Sequence, residues 1–400
     1  MFANGDVLVQ KFGGSSMGSV ERITRVAERI AARAARGSRM VVVVSAMGDT
    51  TDDLIELMNR ITPAPDRREL DNIMATGEMV SASLMASALT RLGIRARSYN
   101  AFNLHLLSEL QGEDYNIVQI GRRNNLARFL EPGSVAVVAG FQGVTADGDL
   151  TTLGRGGSDL TAVILARELG QKVCEKYTDE DGIYTADPRI IPDARKVWHL
   201  DYDEMLTLAA FGNGILHPRA VASARDCEIR IHVRSSFSQA EGSVVGPDGD
   251  DQIPVKSITC DNRLVYTRIH GLSKPDDCFM RELQEQPFVP VMMQWKSYNQ
   301  HQGSLRFGFR RADSFAALPF CWEQAYRLGA EEVDCFANLS TLSLVGCGLR
   351  NNLELAATFS AGLTSITPVV EQHDGIRLSF AIEKSQLKPA LESLHQTILR

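Results

Sequence analysis

Two runs of unbroken apolar residues, Met40–Val44 and Val135–Gly140, constrain this chain more than any other feature. Each is strand-sized and far short of the roughly 18 residues a membrane helix needs. Neither alternates apolar with polar, so neither suits a sheet with one wet face. Such strands must be covered on both sides, which means a largely parallel sheet with helices above and below it. The sequence between them supplies the helices. Ser19 is a plausible N-cap with Glu21 in the first turn, and Val20, Ile23, Ala27, Ile30 and Ala34 recur every three or four residues until Gly37 stops the pattern. By the same logic strands are expected at Val7–Phe12, Met40–Ser45, Val135–Phe141, Val173–Tyr177 and Ile229–Arg234. Helices are expected at Asn72–Leu92, Leu160–Glu168 and Tyr202–Phe211.

The character changes near residue 240, where Glu241–Pro254 holds three Gly, two Pro and four acidic residues and reads as a linker. Beyond it the units are shorter: strands at Ser257–Thr259, Val289–Trp295, Ser304–Phe309, Ser340–Val345, Thr367–Glu371 and Ile376–Ile382, and helices near Asp277–Gln286, Asn352–Ala361 and Lys384–Leu399. At about 150 residues per domain, 400 residues make two or three domains. The expected division is an α/β domain over 1–245, then small α+β modules over 255–330 and 331–400, with the two modules free to interleave.

Acidic side chains outnumber basic ones 49 to 42, a formal net charge of −7, so no nucleic-acid partner is expected. No basic-then-apolar leader precedes the first strand, so neither secretion nor a membrane partner is expected. Seven cysteines without a Cys-x-x-Cys pair suggest reduced thiols in a cytoplasm rather than a disulfide framework or a zinc site.

Four segments could carry chemistry. Lys11-Phe12-Gly13-Gly14-Ser15-Ser16 delivers a lysine at a strand end, followed by glycines and a helix start that suit phosphate. Its lysine precedes the glycines, so it is not a P-loop. Gly154-Arg155-Gly156-Gly157-Ser158-Asp159 offers a guanidinium fork for a carboxylate ahead of another helix. Tyr177–Arg189 sets polar, aromatic and basic side chains beyond a strand, as a nucleotide would need. Gly77-Glu78 brings a carboxylate that could hold an ammonium group. Taken singly, each has a plainer explanation: an ordinary strand–helix turn, a helix cap, an Asp/Gly/Pro-rich loop, a solvated glutamate.

In this order and spacing the four segments resemble the aspartate kinases of the amino-acid-kinase superfamily. The likeness runs from Val7 to about Phe237 and takes in Val44–Asp52, Gly140–Gly143, Thr151–Asp159, Phe211–Pro218 and Val233–Phe237. It implies the amino-acid-kinase fold followed by two ACT-like βαββαβ modules. It also implies transfer of the ATP γ-phosphoryl group to the side-chain carboxylate of L-aspartate, giving 4-phospho-L-aspartate and ADP. Other acceptors within the superfamily, glutamate or acetylglutamate, are the alternatives, together with a catalytically impaired regulatory homologue. Carried over residue by residue, Lys11 and Asp159 are catalytic, with Asp159 orienting Lys11. Lys11, Phe12, Gly13, Gly14, Thr178, Asp179, Tyr184, Arg189 and Gly214 face the nucleotide, and Mg2+ sits on its phosphates. Ser45, Thr51, Glu78, Phe141, Arg155, Gly156, Gly157 and Ser158 surround aspartate. The ACT-like modules imply a homodimer or higher homo-oligomer.

Two departures stand out. The family usually reads Phe-Gly-Ala-Lys-Val-Leu-His-Pro where this chain has Phe211-Gly212-Asn213-Gly214-Ile215-Leu216-His217-Pro218, so a lysine is replaced by Gly214. The modules also lack the Pro-Gly turn at Gly271–Asp277 and at Gly346–Leu353, which predicts weak or absent feedback inhibition.

Overall fold

In the computed structural model, which describes residues 2–3, 5–112, 114–249, 253–273, 277–298, 302–350, 352–363 and 366–399, the chain forms two bodies. The first comprises Met1–Ile183, Lys196–Ala210 and Gly214–Asp250; the second comprises Tyr184–Arg195, Phe211–Asn213 and Asp251–Arg400.

An eight-stranded sheet organises the first body. Its order is His199–Asp201, Ser243–Gly246, Arg230–Ser235, Val173–Thr178, Val7–Phe12, Arg39–Val44, Val135–Ala139 and Ala96–Tyr99. The six strands from Arg230–Ser235 to Ala96–Tyr99 are mutually parallel, and only the contact of Arg230–Ser235 with Ser243–Gly246 is antiparallel. Met40–Val44 and Val135–Ala139 are wholly buried, as unbroken apolar runs demand. The helix Val20–Ala34 is capped as expected, Ser19 Oγ accepting from Arg22 N–H, and buries Ile23, Val26, Ala27, Ile30 and Ala34. Together with Met85 and Leu89 of the helix Arg67–Arg91 it covers one face of the sheet. That longer helix begins five residues earlier than expected, because Asp66 caps it by accepting from Arg68 N–H at 2.9 Å.

The sequence did not reveal a second small sheet in this body, made of Asp114–Ile120, Leu106–Gln111, Gln142–Val144 and Leu150–Thr152. Its strands are short and mix apolar with polar residues without a two-residue period. The central strand expected to run to Phe141 ends at Ala139, because Phe141 adopts a left-handed backbone with φ 68°.

The second body contains two four-stranded antiparallel sheets, each with helices. One runs Met292–Ser297, Gln302–Arg310, Leu264–Ser273, Glu332–Phe336; the other runs Ser257–Asp261, Leu339–Val345, Arg377–Glu383, Val370–Asp374. The two modules do not divide at 330/331 but interleave, the arrangement the sequence left open. Ser257–Asp261 pairs with Leu339–Val345, and Glu332–Phe336 pairs back with Leu264–Ser273. The expected boundary at 245 also changes, since Tyr184–Arg195 joins the second body. Ala186 and Ile191 bury in its core, Thr185 accepts from Ile258 N–H at 2.8 Å, and the Thr185 hydroxyl meets His395 Nε2 at 2.8 Å. Parts of the two turns compared above for Pro-Gly, residues 274–276 and 351, lie outside the described residues. All seven cysteines are free thiols. Among the described residues no helix is long and apolar enough to cross a membrane.

Candidate active site

Strand alternation decides which side chains can meet a ligand. Lys11 and Lys176 are register partners on adjacent parallel strands, and so are Phe12 and Tyr177. Successive residues point to opposite faces, so Phe12 and Tyr177 stack on each other in the core, with ring centroids 4.6 Å apart, while the lysines share the other face. Phe12 thus has no side chain to offer a nucleotide. Gly13 is also less available than expected, because its N–H already donates to Tyr177 O at 3.2 Å. Gly14 remains at the head of the short helix Gly14–Met17 and lines the cleft.

Asp159 lies in the first turn of the helix Gly157–Glu168 and is itself buried. Its Oδ1 is 2.6 Å from Lys11 Nζ and its Oδ2 is 2.5 Å from Lys176 Nζ. Burial alone would raise the Asp159 pKa, but the two ammonium groups overcome it and hold the carboxyl at about 2. Burial pushes the Lys176 pKa down, against the pull of Asp159. Lys176 was missed in the sequence, where it sits inside Val-Cys-Glu-Lys-Tyr-Thr and belongs to none of the glycine-bearing turns. The available signal was its register with Lys11, which requires knowing which strands pair.

A cleft of about 580 Å³ opens in front of Lys11, lined by Gly14, Ser45, Thr51, Glu78, Phe141, Arg155, Gly156, Gly157 and Ser158 among others. Every residue expected around aspartate is therefore in one place. Gly77 lets the helix approach the strand end so closely that a Cβ there would lie 2.9 Å from Ala46 Cβ. That approach lets Glu78 Oε1 accept from Ala46 N–H at 3.1 Å, while among the described residues Oε2 has no hydrogen-bond partner. Glu78 is 3% exposed, and burial raises its pKa to about 7, against the smaller pull of that N–H.

Arg155 is exposed at the apex of the glycine turn. Gly156 has φ 75° and a Cβ there would fall 2.2 Å from His217 Cβ, so the turn is moulded against His217, the N-cap of the helix Pro218–Asp226. Arg219, also missed, fixes the same turn by donating to Leu153 O, to Asp114 Oδ2 at 2.9 Å and to Asn116 Oδ1 at 2.6 Å.

Among the residues expected to face a nucleotide, the Thr178 hydroxyl meets Asp179 Oδ1 at 2.9 Å, and Ser15 Oγ meets the same oxygen at 3.2 Å. Gly214 is exposed, with no atom within 4 Å of where its Cβ would be. Tyr184 and Arg189 belong to the second body, where Arg189 pairs with Asp187 at 2.8 Å.

Residues 6–235 match the profile of the amino acid kinase family. The aspartokinase of Bacillus sp. strain MGA3 is 36% identical over 98% of this chain and 96% of its own length. That of Mycobacterium bovis is 38% identical over 98% and 95%. The crystal structure of E. coli aspartokinase III in complex with aspartate and ADP shares the fold, with a TM-score of 0.80 at 20% identity, covering 98% of this chain and 100% of that one. With its parallel sheet and the lysine–aspartate cluster at the strand ends, the chain belongs to the amino acid kinase family and is a kinase. Within that family it belongs to the aspartokinases, which it matches nearly end to end.

Proposed function

We propose that the cleft in front of Lys11 transfers the γ-phosphoryl group of ATP to the side-chain carboxylate of L-aspartate. The observation that carries this is the convergence on one cavity of a buried ammonium (Lys11), a half-satisfied buried carboxylate (Glu78) and an exposed guanidinium (Arg155). A free amino acid presents the complementary groups: an ammonium for Glu78 and a carboxylate for Arg155. Its second carboxylate is then directed at the phosphate held by Lys11 and the Gly14 turn. Thr178, Asp179 and Gly214 would face the nucleotide. For Tyr184 and Arg189 that role rests on the resemblance of their segment alone.

The chemical obstacle is repulsion. Two unit charges roughly 4 Å apart repel by about 4 kcal/mol at an effective dielectric near 20. The attacking carboxylate is already anionic, so no base and no protein nucleophile is needed. A carboxylate oxygen bonds to the γ-phosphorus as the bridging bond to ADP breaks, and positioning with charge neutralisation dominates. Mg2+ on the phosphates would add positive charge there. Asp159 is committed to two lysines, which fits a metal held by the nucleotide's own oxygens rather than by this carboxylate.

Self-association through the ACT-like modules belongs to the same proposal. Phe315, Trp322 and Tyr326 fall on one face of the helix Ser314–Arg327 and are 95%, 57% and 92% exposed, an aromatic stripe suited to a second copy of the chain.

Lys11→Ala tests the chemistry. In a coupled ADP-release assay kcat is expected to fall on the order of 100-fold or more. A rate near that of the unmodified chain would remove Lys11 from the reaction.

A further inference from the structure

We infer that Lys176 is a positioning residue for phosphoryl transfer: by taking one oxygen of Asp159, it leaves the ammonium of Lys11 with uncompensated charge at the wall of the cleft. This rests on the function proposed above and adds a residue that the family motifs quoted from the sequence do not contain.

The charge count is simple. Lys11 and Asp159 alone make a neutral pair, which would attract an anion only as a dipole. With Lys176 on the second oxygen, the three side chains carry one net positive charge. The geometry sends that charge in one direction. Lys11 lines the cleft. Lys176 does not; with Asp159 and Cys174 it borders a void of about 10 Å³ behind Lys11. The neighbouring carboxylate, Glu175, points to the opposite face of the strand, where Arg33, at 2.5 Å, and Gln10 hold it, so it does not neutralise Lys176. All three members of the cluster are less than a tenth exposed. Burying a second lysine on one carboxylate carries a desolvation cost that Asp159 offsets only in part, so stability is a weak reason for it, although removing Lys176 alone would leave Asp159 Oδ2 without a donor. An excess cation close behind the phosphate-facing amine does have a use, because desolvated positive charge stabilises the negative charge that a phosphoryl group carries through its transition state.

The test compares the full chain with Lys176→Met, which removes the charge at similar volume, and Lys176→Arg, which keeps it. Lys176→Met is expected to lower kcat roughly 10- to 100-fold and to change the aspartate KM by less than about twofold. Its thermal midpoint should fall only modestly, because Asp159 keeps Lys11 while its second oxygen loses a buried donor, and Lys176→Arg should recover part of the rate. The inference is overturned if Lys176→Met turns over within about twofold of the unmodified chain. It is also overturned if both variants are equally slow and both lose thermal stability, which is what a packing role gives. Aspartate turnover by the unmodified chain is scored separately. Should that fail, calorimetry with ATP still decides the matter: Lys176→Met is expected to bind ATP about tenfold more weakly, and equal dissociation constants overturn the inference.

Discussion

Glu78 gives the most demanding prediction, because one buried carboxylate ties substrate affinity and stability to the same pH window. Burial lifts its pKa from an ordinary 4.5 to about 7. If the substrate ammonium binds the ionised form, affinity scales with the ionised fraction. That fraction is about one-tenth at pH 6 and about nine-tenths at pH 8. The apparent aspartate KM should therefore fall about tenfold across that range, and Glu78→Gln should abolish the dependence while raising KM throughout. Stability runs the other way. A carboxyl whose folded pKa lies above its unfolded value favours the folded state fully below pH 4.5, and that contribution is lost as pH rises through about 7. The shift corresponds to on the order of 3 kcal/mol. Glu78→Gln should then be more stable than the unmodified chain at pH 8, with a difference that shrinks toward pH 5. Steady-state kinetics and thermal melts at pH 5, 6, 7 and 8 read both effects. A flat KM in the unmodified chain, or a stability difference that grows as pH falls, would refute the assignment.

Three further substitutions probe the walls of the cleft. Arg155→Ala should raise the aspartate KM about tenfold or more with little change in thermal midpoint, since the side chain is exposed; unchanged KM and kcat would remove it from substrate binding. Gly156→Ala should destabilise the fold by at least about 2 kcal/mol, because the backbone is left-handed and His217 occupies the space a methyl would need; a denaturant melt within error of the unmodified chain would contradict this. Gly214→Lys meets open space, so it should fold normally and lower the KM for ATP; an unaltered KM would mean that a charge at 214 does not reach the nucleotide.

How far the sequence could be read depended on the range of the interaction. Lys11, Glu78 and the Arg155 turn were legible because each lies in a contiguous motif, and all of them line one cleft. Within the same motif, strand alternation turns the Phe12 side chain into the core and the neighbouring strand takes the Gly13 N–H, which contiguous sequence does not show. Lys176 was invisible because its meaning comes from pairing with a strand more than 160 residues away. The parallel sheet followed from unbroken apolar runs, whereas the hairpin Leu106–Gln111 with Asp114–Ile120 mixes apolar and polar residues with neither an unbroken run nor a two-residue alternation, and gave no signal. In the second body the ten-residue strand Leu264–Ser273 and the helix Ser314–Arg327 also went unrecognised. Pro319 interrupts the helical pattern of the latter, and Ser257–Asp261 pairs across the module that follows it rather than with its neighbour in sequence.

The decisive measurement is chemical capture of the product. With ATP, L-aspartate and hydroxylamine present, the chain should yield aspartyl hydroxamate in step with ADP, and none when either substrate is left out. ADP released at the same rate without aspartate, or hydroxamate formed from glutamate in preference to aspartate, would contradict the assignment of this cleft.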